Sequence, residues 1–306
     1  MTVTTFALPP EALELLGEVA GPDGWRDALP GAEALVCQLT DRVDAALLDR
    51  APGLRIVASA AVGYEHIDVA ACRARGIVVT NTPDVLTAAT ADLAWALLLA
   101  AVRRLPQAER SLRAGEFTGW GFWDYLGGDL EGRTLGIFGM GRIGRAVARR
   151  AGGFGMRVIY HSRSPLSAED ERALGAERVD FDGLLARSDV VSLHAPLTPD
   201  TRHAFDRGAL ARMRPGSVLV NTARGPLIDE AALVDALRDG PLAAAGLDVF
   251  EREPIVHPGL LDLPNVVILP HIGSATRGTR AGMATLAARN VRAVLAGDPP
   301  LTPIPG

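Results

Sequence analysis

Short apolar runs alternate with helical patterns along most of the chain. From residue 34 the order is ALVCQL, VDAALLDRA, LRIVASAAVG, DVAACRARG and IVVTNTP, a rhythm of strand, helix, strand that predicts a parallel α/β sheet. Residues 87–105, TAATADLAWALLLAAVRRL, predict one long helix connecting two domains, with Asp92 in its early turns and Arg103 and Arg104 at its end, as the helix dipole favours. A second series follows: LGIFG, RVIYH, VVSLH, SVLVNTA, AAAGLDV and VVILP. Six such runs, each separated from the next by a helix or loop, make a full doubly wound sheet. A last helical run over 274–295 leads into the proline-rich tail GDPPLTPIPG. The expected fold class is α/β, with two doubly wound parallel-sheet domains, Rossmann- or flavodoxin-like, and a cleft between them. One domain is expected from 1–95 plus 279–306, the other from 96–278.

Composition narrows the partners. The chain has 306 residues, 48% of them hydrophobic, enough to bury substantial cores. Its net charge of −5 comes from intermixed acids and bases, so no basic stripe recommends a nucleic acid or an anionic membrane. Small metabolites are the expected partners. Cys37 and Cys72 are too few for a disulfide framework and lack metal-ligand spacing, which predicts two reduced thiols, no metal site and a cytoplasmic location. The N-terminus, MTVTTFALPPEALELL, has no basic segment before an apolar block, and the apolar stretch at 93–102 is too short to span a bilayer. Neither export nor membrane insertion is expected.

The most informative stretch is LGIFGMGRIGRAVARRAGGFGMRVIYHSRS, residues 135–164. A strand-like run leads into Gly139, Gly141 and Gly144, spaced GxGxxG, and these open a helix whose N-terminus and backbone N–H groups can face a pyrophosphate. Glycines also close turns, but this context reads as nucleotide binding, and 96–278 is accordingly the dinucleotide domain, 1–95 with 279–306 the substrate domain. At the end of the second strand an acid normally grips the adenosine ribose. Here the chain has His161, Ser162, Arg163 and Ser164. A carboxylate would repel the extra phosphate of NADP, whereas Arg163 supplies a cationic fork and the two serines supply hydroxyl donors. NADP(H) is therefore the preferred cofactor, with NAD(H) possible if Arg163 is only a solvated charge.

Three more segments end near apolar strands: VNTARGPLID, GLDVFEREP and VVILPHIGSAT. The carboxyl ends of parallel strands converge on the ligand crevice, so Arg224, Glu253 and His271 can meet there despite their separation in sequence. An arginine clamps a carboxylate, a histidine exchanges a proton near neutral pH, and a glutamate orients that histidine. These are the parts of a 2-keto acid reductase. Singly, each residue also has a structural role open to it: a surface ion pair, a loop charge before Pro254, a capped core histidine.

The segments AVGYEHIDVAACRARGI, NTPDVLTAATADLAWALLL, GMGRIGRAVARRAGGFGMRVIYHSRS, SDVVSLHAPLT, VNTARGPLIDEAAL, AGLDVFEREP and ILPHIGSAT cover nearly the whole chain from about Val36. Together they resemble the D-isomer-specific 2-hydroxyacid dehydrogenases, and among them the glyoxylate and hydroxypyruvate reductases. The resemblance implies that Arg224 binds the substrate carboxylate, Glu253 orients the histidine and His271 is the acid/base. It further implies a carboxylate cradle from the Val62 and Gly63 amides. Arg142, Ile143 and Gly144 fall on the pyrophosphate, Ser162, Arg163 and Ser164 on the adenosine phosphate, Pro196, Thr222 and Asp248 around ribose and nicotinamide, and Gly273 beside His271. The implied reaction is reduction of glyoxylate or hydroxypyruvate to glycolate or D-glycerate. Another D-2-hydroxyacid dehydrogenase activity, or a dinucleotide-sensing scaffold like the corepressors of this fold, stand as alternatives.

The chain departs from the related reductases in one arm. Where they often carry a W-x-P-x-x-W-like segment, it reads WGFWDYLGG, with Phe122 at the usual proline and Asp124 where a second tryptophan is common. Substrate preference is thus less determined than chemistry. The cluster Trp120, Phe122, Trp123 and Tyr125 is more apolar than a solvent loop warrants and predicts a homodimer in which this arm packs on the partner.

Overall fold

The structure, a computed structural model, describes residues 1–304; Pro305 and Gly306, which close the expected proline-rich tail and first domain, lie outside the described residues. Packing divides the chain into two units, Met1–Leu86 with Ser274–Gly306, and Thr87–Gly273. Both are α/β units built on parallel sheets.

The smaller unit carries β1 (Thr2–Thr4), β2 (Val19–Ala20), β3 (Ala34–Cys37), β4 (Ile56–Ser59) and β5 (Val78–Thr80), ordered β2-β1-β3-β4-β5. β3 and β4 are buried at every position, as expected of central parallel strands covered by helices on both faces. The pattern of apolar runs misses β1 and β2, which have only three and two residues, too short to show a period. Trp25 is buried in this unit, with the Arg26 guanidinium 4.4 Å from its ring centroid. The helix Arg277–Ala296 belongs here too; the Thr276 side chain caps its start and left-handed Gly297 ends it. Cys37 and Cys72 are buried and unbridged, and burial pushes the Cys72 thiol up to about 11.

The larger unit carries β6 (Thr134–Phe138), β7 (Arg157–His161), β8 (Ala176–Arg178), β9 (Val190–Leu193), β10 (Ser217–Asn221), β11 (Leu242–Leu247) and β12 (Val266–Ile268). Their order is β12-β11-β10-β9-β6-β7-β8, so the chain reverses its winding between β6 and β9. The crevice at such a reversal, at the carboxyl ends of the strands, is where this fold binds ligands. The seventh strand, β8, is a short polar edge, AER, that no hydrophobic pattern could disclose.

The helix Thr87–Val102 lies whole within the larger unit, where a boundary at 95/96 would cut it. Its buried side chains include Ala91, Ala94, Trp95, Leu97, Leu98 and Ala101. Trp95 Nε1 donates to the Val147 carbonyl at 3.1 Å, and its ring stacks on Phe154 at 4.3 Å. The helix stops at Val102 rather than 105: Arg104 adopts the left-handed conformation (φ 55°), and a second helix, Leu105–Arg113, starts after it. Among the described residues no helix is long and apolar enough to cross a membrane.

Candidate active site

The glycine turn after β6 is shaped by its neighbours. Gly139 has φ +96°, and a Cβ there would lie 2.5 Å from the Ala195 amide nitrogen after β9, so neither backbone nor space admits a side chain. Gly141, by contrast, faces open space. It precedes the helix Arg142–Ala151, which has no side-chain N-cap, so its first N–H groups are presented by Arg142, Ile143 and the buried Gly144 at the carboxyl edge of the sheet. At the end of β10, Thr222 is buried and its Oγ1 has no hydrogen-bond partner among the described residues. Pro196, after β9, is exposed. An open backbone turn, an uncapped helix start and a buried hydroxyl lacking a partner fit a dinucleotide laid across this edge.

At the end of β7, Ser162 is half-buried and Arg163 and Ser164 are exposed. The His161 ring stacks on Phe138 at 5.9 Å, and its Nδ1 lies 3.2 Å from the Val179 carbonyl. No carboxylate occupies positions 161–164.

Arg224, Glu253 and His271 follow β10, β11 and β12 respectively. His271 Nδ1 and Glu253 Oε2 are 2.8 Å apart, which, with the proton assigned to Nδ1, makes the carboxylate the acceptor and leaves Nε2 for other work. The second Glu253 oxygen accepts from the Phe250 N–H at 3.0 Å. Burial raises the Glu253 carboxyl, but the His271 hydrogen bond and charge, the Phe250 amide and the charge of Arg224 outweigh it and hold the group below its ordinary range. The carboxylate therefore stays ionised beside the imidazole.

His271 itself sits at φ 54°, an uncommon conformation for a histidine. Asp248 fixes that turn. Its backbone carbonyl accepts from His271 N–H at 2.8 Å, and its two carboxylate oxygens accept from Ile272 and Gly273 N–H at 2.7 Å each. Burial raises the Asp248 carboxyl, while these two amide donors and the His271 charge oppose the rise. Asp248 is fully buried and Gly273 is buried with it.

Two residues that hold Arg224 were not singled out from the sequence. Asn221, fully buried at the end of β10, donates through Nδ2 to the Arg224 carbonyl at 2.8 Å and accepts from Ala223 N–H at 3.0 Å. Gly225 packs so closely on the next loop that a Cβ would lie 1.8 Å from the Phe250 carbonyl carbon. The turn bearing Arg224 thus rests on the loop bearing Glu253. A polar residue ending an otherwise apolar strand, VLVN, is the signal that would have singled out Asn221. A further histidine, His194, meets Ser192 Oγ at 2.8 Å, and burial holds it down at about 3, so it is neutral.

Val62 and Gly63 belong to the smaller unit, in the loop after β4, where both are half-buried. Asn81 Nδ2 donates to the Val62 carbonyl at 2.7 Å and fixes that loop.

A doubly wound sheet with an uncapped helix over a glycine turn, and an ionised carboxylate–histidine pair at the same unit's strand ends, defines a dinucleotide-dependent oxidoreductase. Comparison with known proteins narrows the class. A family profile described as D-isomer specific 2-hydroxyacid dehydrogenase, NAD binding domain, matches residues 95–273. A glyoxylate reductase of Thermococcus onnurineus is 48% identical over 313 aligned positions, covering 97% of this chain and 93% of its own. The TT0316 protein of Thermus thermophilus superposes with a TM-score of 0.93 at 46% identity, over 99% of each chain. An NADPH-dependent glyoxylate/hydroxypyruvate reductase of Sinorhizobium meliloti, in complex with NADP and malonate, gives 0.88 at 39% identity, over 99% of this chain and 96% of that one. The chain belongs to the D-isomer-specific 2-hydroxyacid dehydrogenases, enzymes that work with a nicotinamide dinucleotide.

Proposed function

We propose that this protein reduces glyoxylate or hydroxypyruvate, giving glycolate or D-glycerate, with NADPH as the preferred cofactor. The observation that carries the reading is the 2.8 Å contact between His271 and an ionised Glu253 at the strand ends that also present Arg224. The names of the similar reductases support the substrate choice. Arg224 holds the substrate carboxylate through its guanidinium fork, which fixes the neighbouring carbonyl carbon in orientation. His271, protonated on both nitrogens, gives the Nε2 proton to the carbonyl oxygen as negative charge develops there. Glu253, bonded to Nδ1, favours the imidazolium before transfer and keeps the ring from turning. Solvent then returns the proton to His271. The dinucleotide, when bound, supplies the hydride that reaches the carbonyl carbon.

For the cofactor, Gly139, Gly141, Arg142, Ile143 and Gly144 serve the pyrophosphate, Pro196, Thr222, Asp248 and Gly273 the nicotinamide half, and Ser162, Arg163 and Ser164 the adenosine phosphate. Arg163 is exposed, and the absence of an acid at 161–164 removes the usual ribose acceptor. Oxidation of NADPH and NADH should be followed with a panel of 2-keto acids. Turnover of glyoxylate and hydroxypyruvate, with a lower KM for NADPH, is expected. No turnover of any 2-keto acid rejects the reading, and an unchanged NADPH-to-NADH ratio of kcat/KM in Arg163→Ala rejects the phosphate site.

A further inference from the structure

We propose that Arg178 is a second cation for the cofactor's adenosine phosphate, an inference that rests on the NADPH reading above. β8 runs parallel to β7 with Arg178 opposite Tyr160. Arg178 therefore ends the outermost strand at the level where the chain turns into Ser162 and Arg163. The two strands are tied there, since the Val179 N–H donates to the Tyr160 carbonyl at 2.9 Å. Arg178 Nη2 donates to the Ser162 carbonyl at 3.3 Å, which brings a guanidinium onto the same turn that carries Arg163. That bond uses one N–H of the group and leaves the rest of the fork for another acceptor.

The surrounding acids are engaged elsewhere. Glu177 pairs with Arg187 through both oxygens, at 2.8 and 2.7 Å. Glu171 accepts the Tyr160 hydroxyl at 2.7 Å, Asp170 pairs with Arg145 at 2.8 Å, and Asp180 caps a helix by accepting from the Gly183 N–H at 2.7 Å. Among the described residues neither Arg163 nor Arg178 has an acidic partner. Two guanidiniums thus flank one serine-rich turn with no carboxylate set against them. The phosphate that distinguishes NADP carries nearly two negative charges, so Arg163 alone offsets about half of it and the pair offsets it all. The ribose hydroxyl of NAD makes no such demand. A charged residue on an edge strand also deters unwanted strand pairing, and that role would be indifferent to the cofactor.

Titration calorimetry on the whole protein separates the two roles, with 2′,5′-ADP and 5′-AMP as probes that differ only in the phosphate. Arg178→Met should weaken 2′,5′-ADP roughly tenfold, the lower end of what a charge-assisted hydrogen bond contributes, and leave 5′-AMP within about twofold. The kcat/KM ratio of NADPH to NADH should fall in step, and the salt dependence of 2′,5′-ADP binding should flatten. Arg178→Lys, which keeps the charge without the fork, should fall between parent and Arg178→Met, and it serves as the test if the methionine variant does not fold. Unchanged 2′,5′-ADP affinity in a folded variant overturns the role of Arg178. Should the parent itself bind 2′,5′-ADP no tighter than 5′-AMP, the NADPH reading falls first and this inference with it.

Discussion

His271 and Glu253 are joined at 2.8 Å through Nδ1 and Oε2, and the other Glu253 oxygen is pinned by the Phe250 amide. The imidazole is therefore held by a carboxylate that is itself held by backbone. Replacing His271 by Ala is expected to cut turnover about 10²–10⁴-fold, the range for a positioned acid/base, with dinucleotide affinity nearly unchanged. A folded variant that keeps most of its turnover would exclude the acid/base role.

The same contact predicts a pH dependence. Glu253 is held below the ordinary carboxylate range, so its charge is fully present above its unfolded value and is lost only as pH falls through the lower, folded one. The acid limb of the kcat profile should accordingly lie below the usual glutamate range. Glu253→Gln carries no titrating carboxylate at this position, so that acid limb should disappear from its profile. Identical profiles for parent and Glu253→Gln would remove the glutamate from this part.

For Arg224→Lys, a point charge replaces a fork. The KM for 2-keto acids should rise by about 10-fold or more, equivalent to a loss on the order of 1.5–3 kcal/mol of charge-assisted bonding, with little change for NADPH. Equal weakening of both ligands would point to general damage to the site and against a carboxylate clamp.

Gly225→Ala tests how the site is assembled. The added Cβ meets backbone at 1.8 Å, so the Phe250 peptide or the Arg224 turn must move. Overpacking of this kind typically costs about 1–3 kcal/mol. Thermal unfolding should show that loss, and keto acid KM and kcat should both suffer because Arg224 and Glu253 shift against each other. A variant with parental stability and kinetics would show that the two loops are not braced at this point.

Trp120, Phe122 and Trp123 are 81%, 66% and 75% exposed, and their rings contact one another edge to face. Such an aromatic arm, bare to water, is expected to pack on a second copy of the chain. Sedimentation should give a homodimer at micromolar concentration, and Trp123→Ser should shift it toward monomer. A monomeric parent would reject the dimer.

Where the sequence was legible, burial made it so. Strands buried on both faces, such as β6 with TLGIF, announce themselves as apolar runs, and the glycine turn after β6 follows from its spacing. The polar edge β8 and the short β1 and β2 lack any such imprint. In the site, Arg224, Glu253 and His271 were visible as chemistry stranded at strand ends. What holds them was not: Asn221 acts through hydrogen bonds that exist only once its own turn has formed, Gly225 through contact with a loop distant in sequence, and Asp248 through backbone amides. Arg178 was hidden for the same reason, because its relation to Ser162 exists only once β7 and β8 lie side by side.

The four tryptophans divide by unit and by solvent. Trp25 is buried in the smaller unit beneath a guanidinium, Trp95 is buried in the larger one against Phe154, and Trp120 and Trp123 stand in water on the arm. The protein thus carries its own set of fluorescent labels. In a lone chain the arm's emission is expected at the red edge and open to iodide, and pairing with a second copy should shift it to the blue and shield it, while Trp95, buried and stacked on Phe154, should report the loosening of its own unit without any added dye.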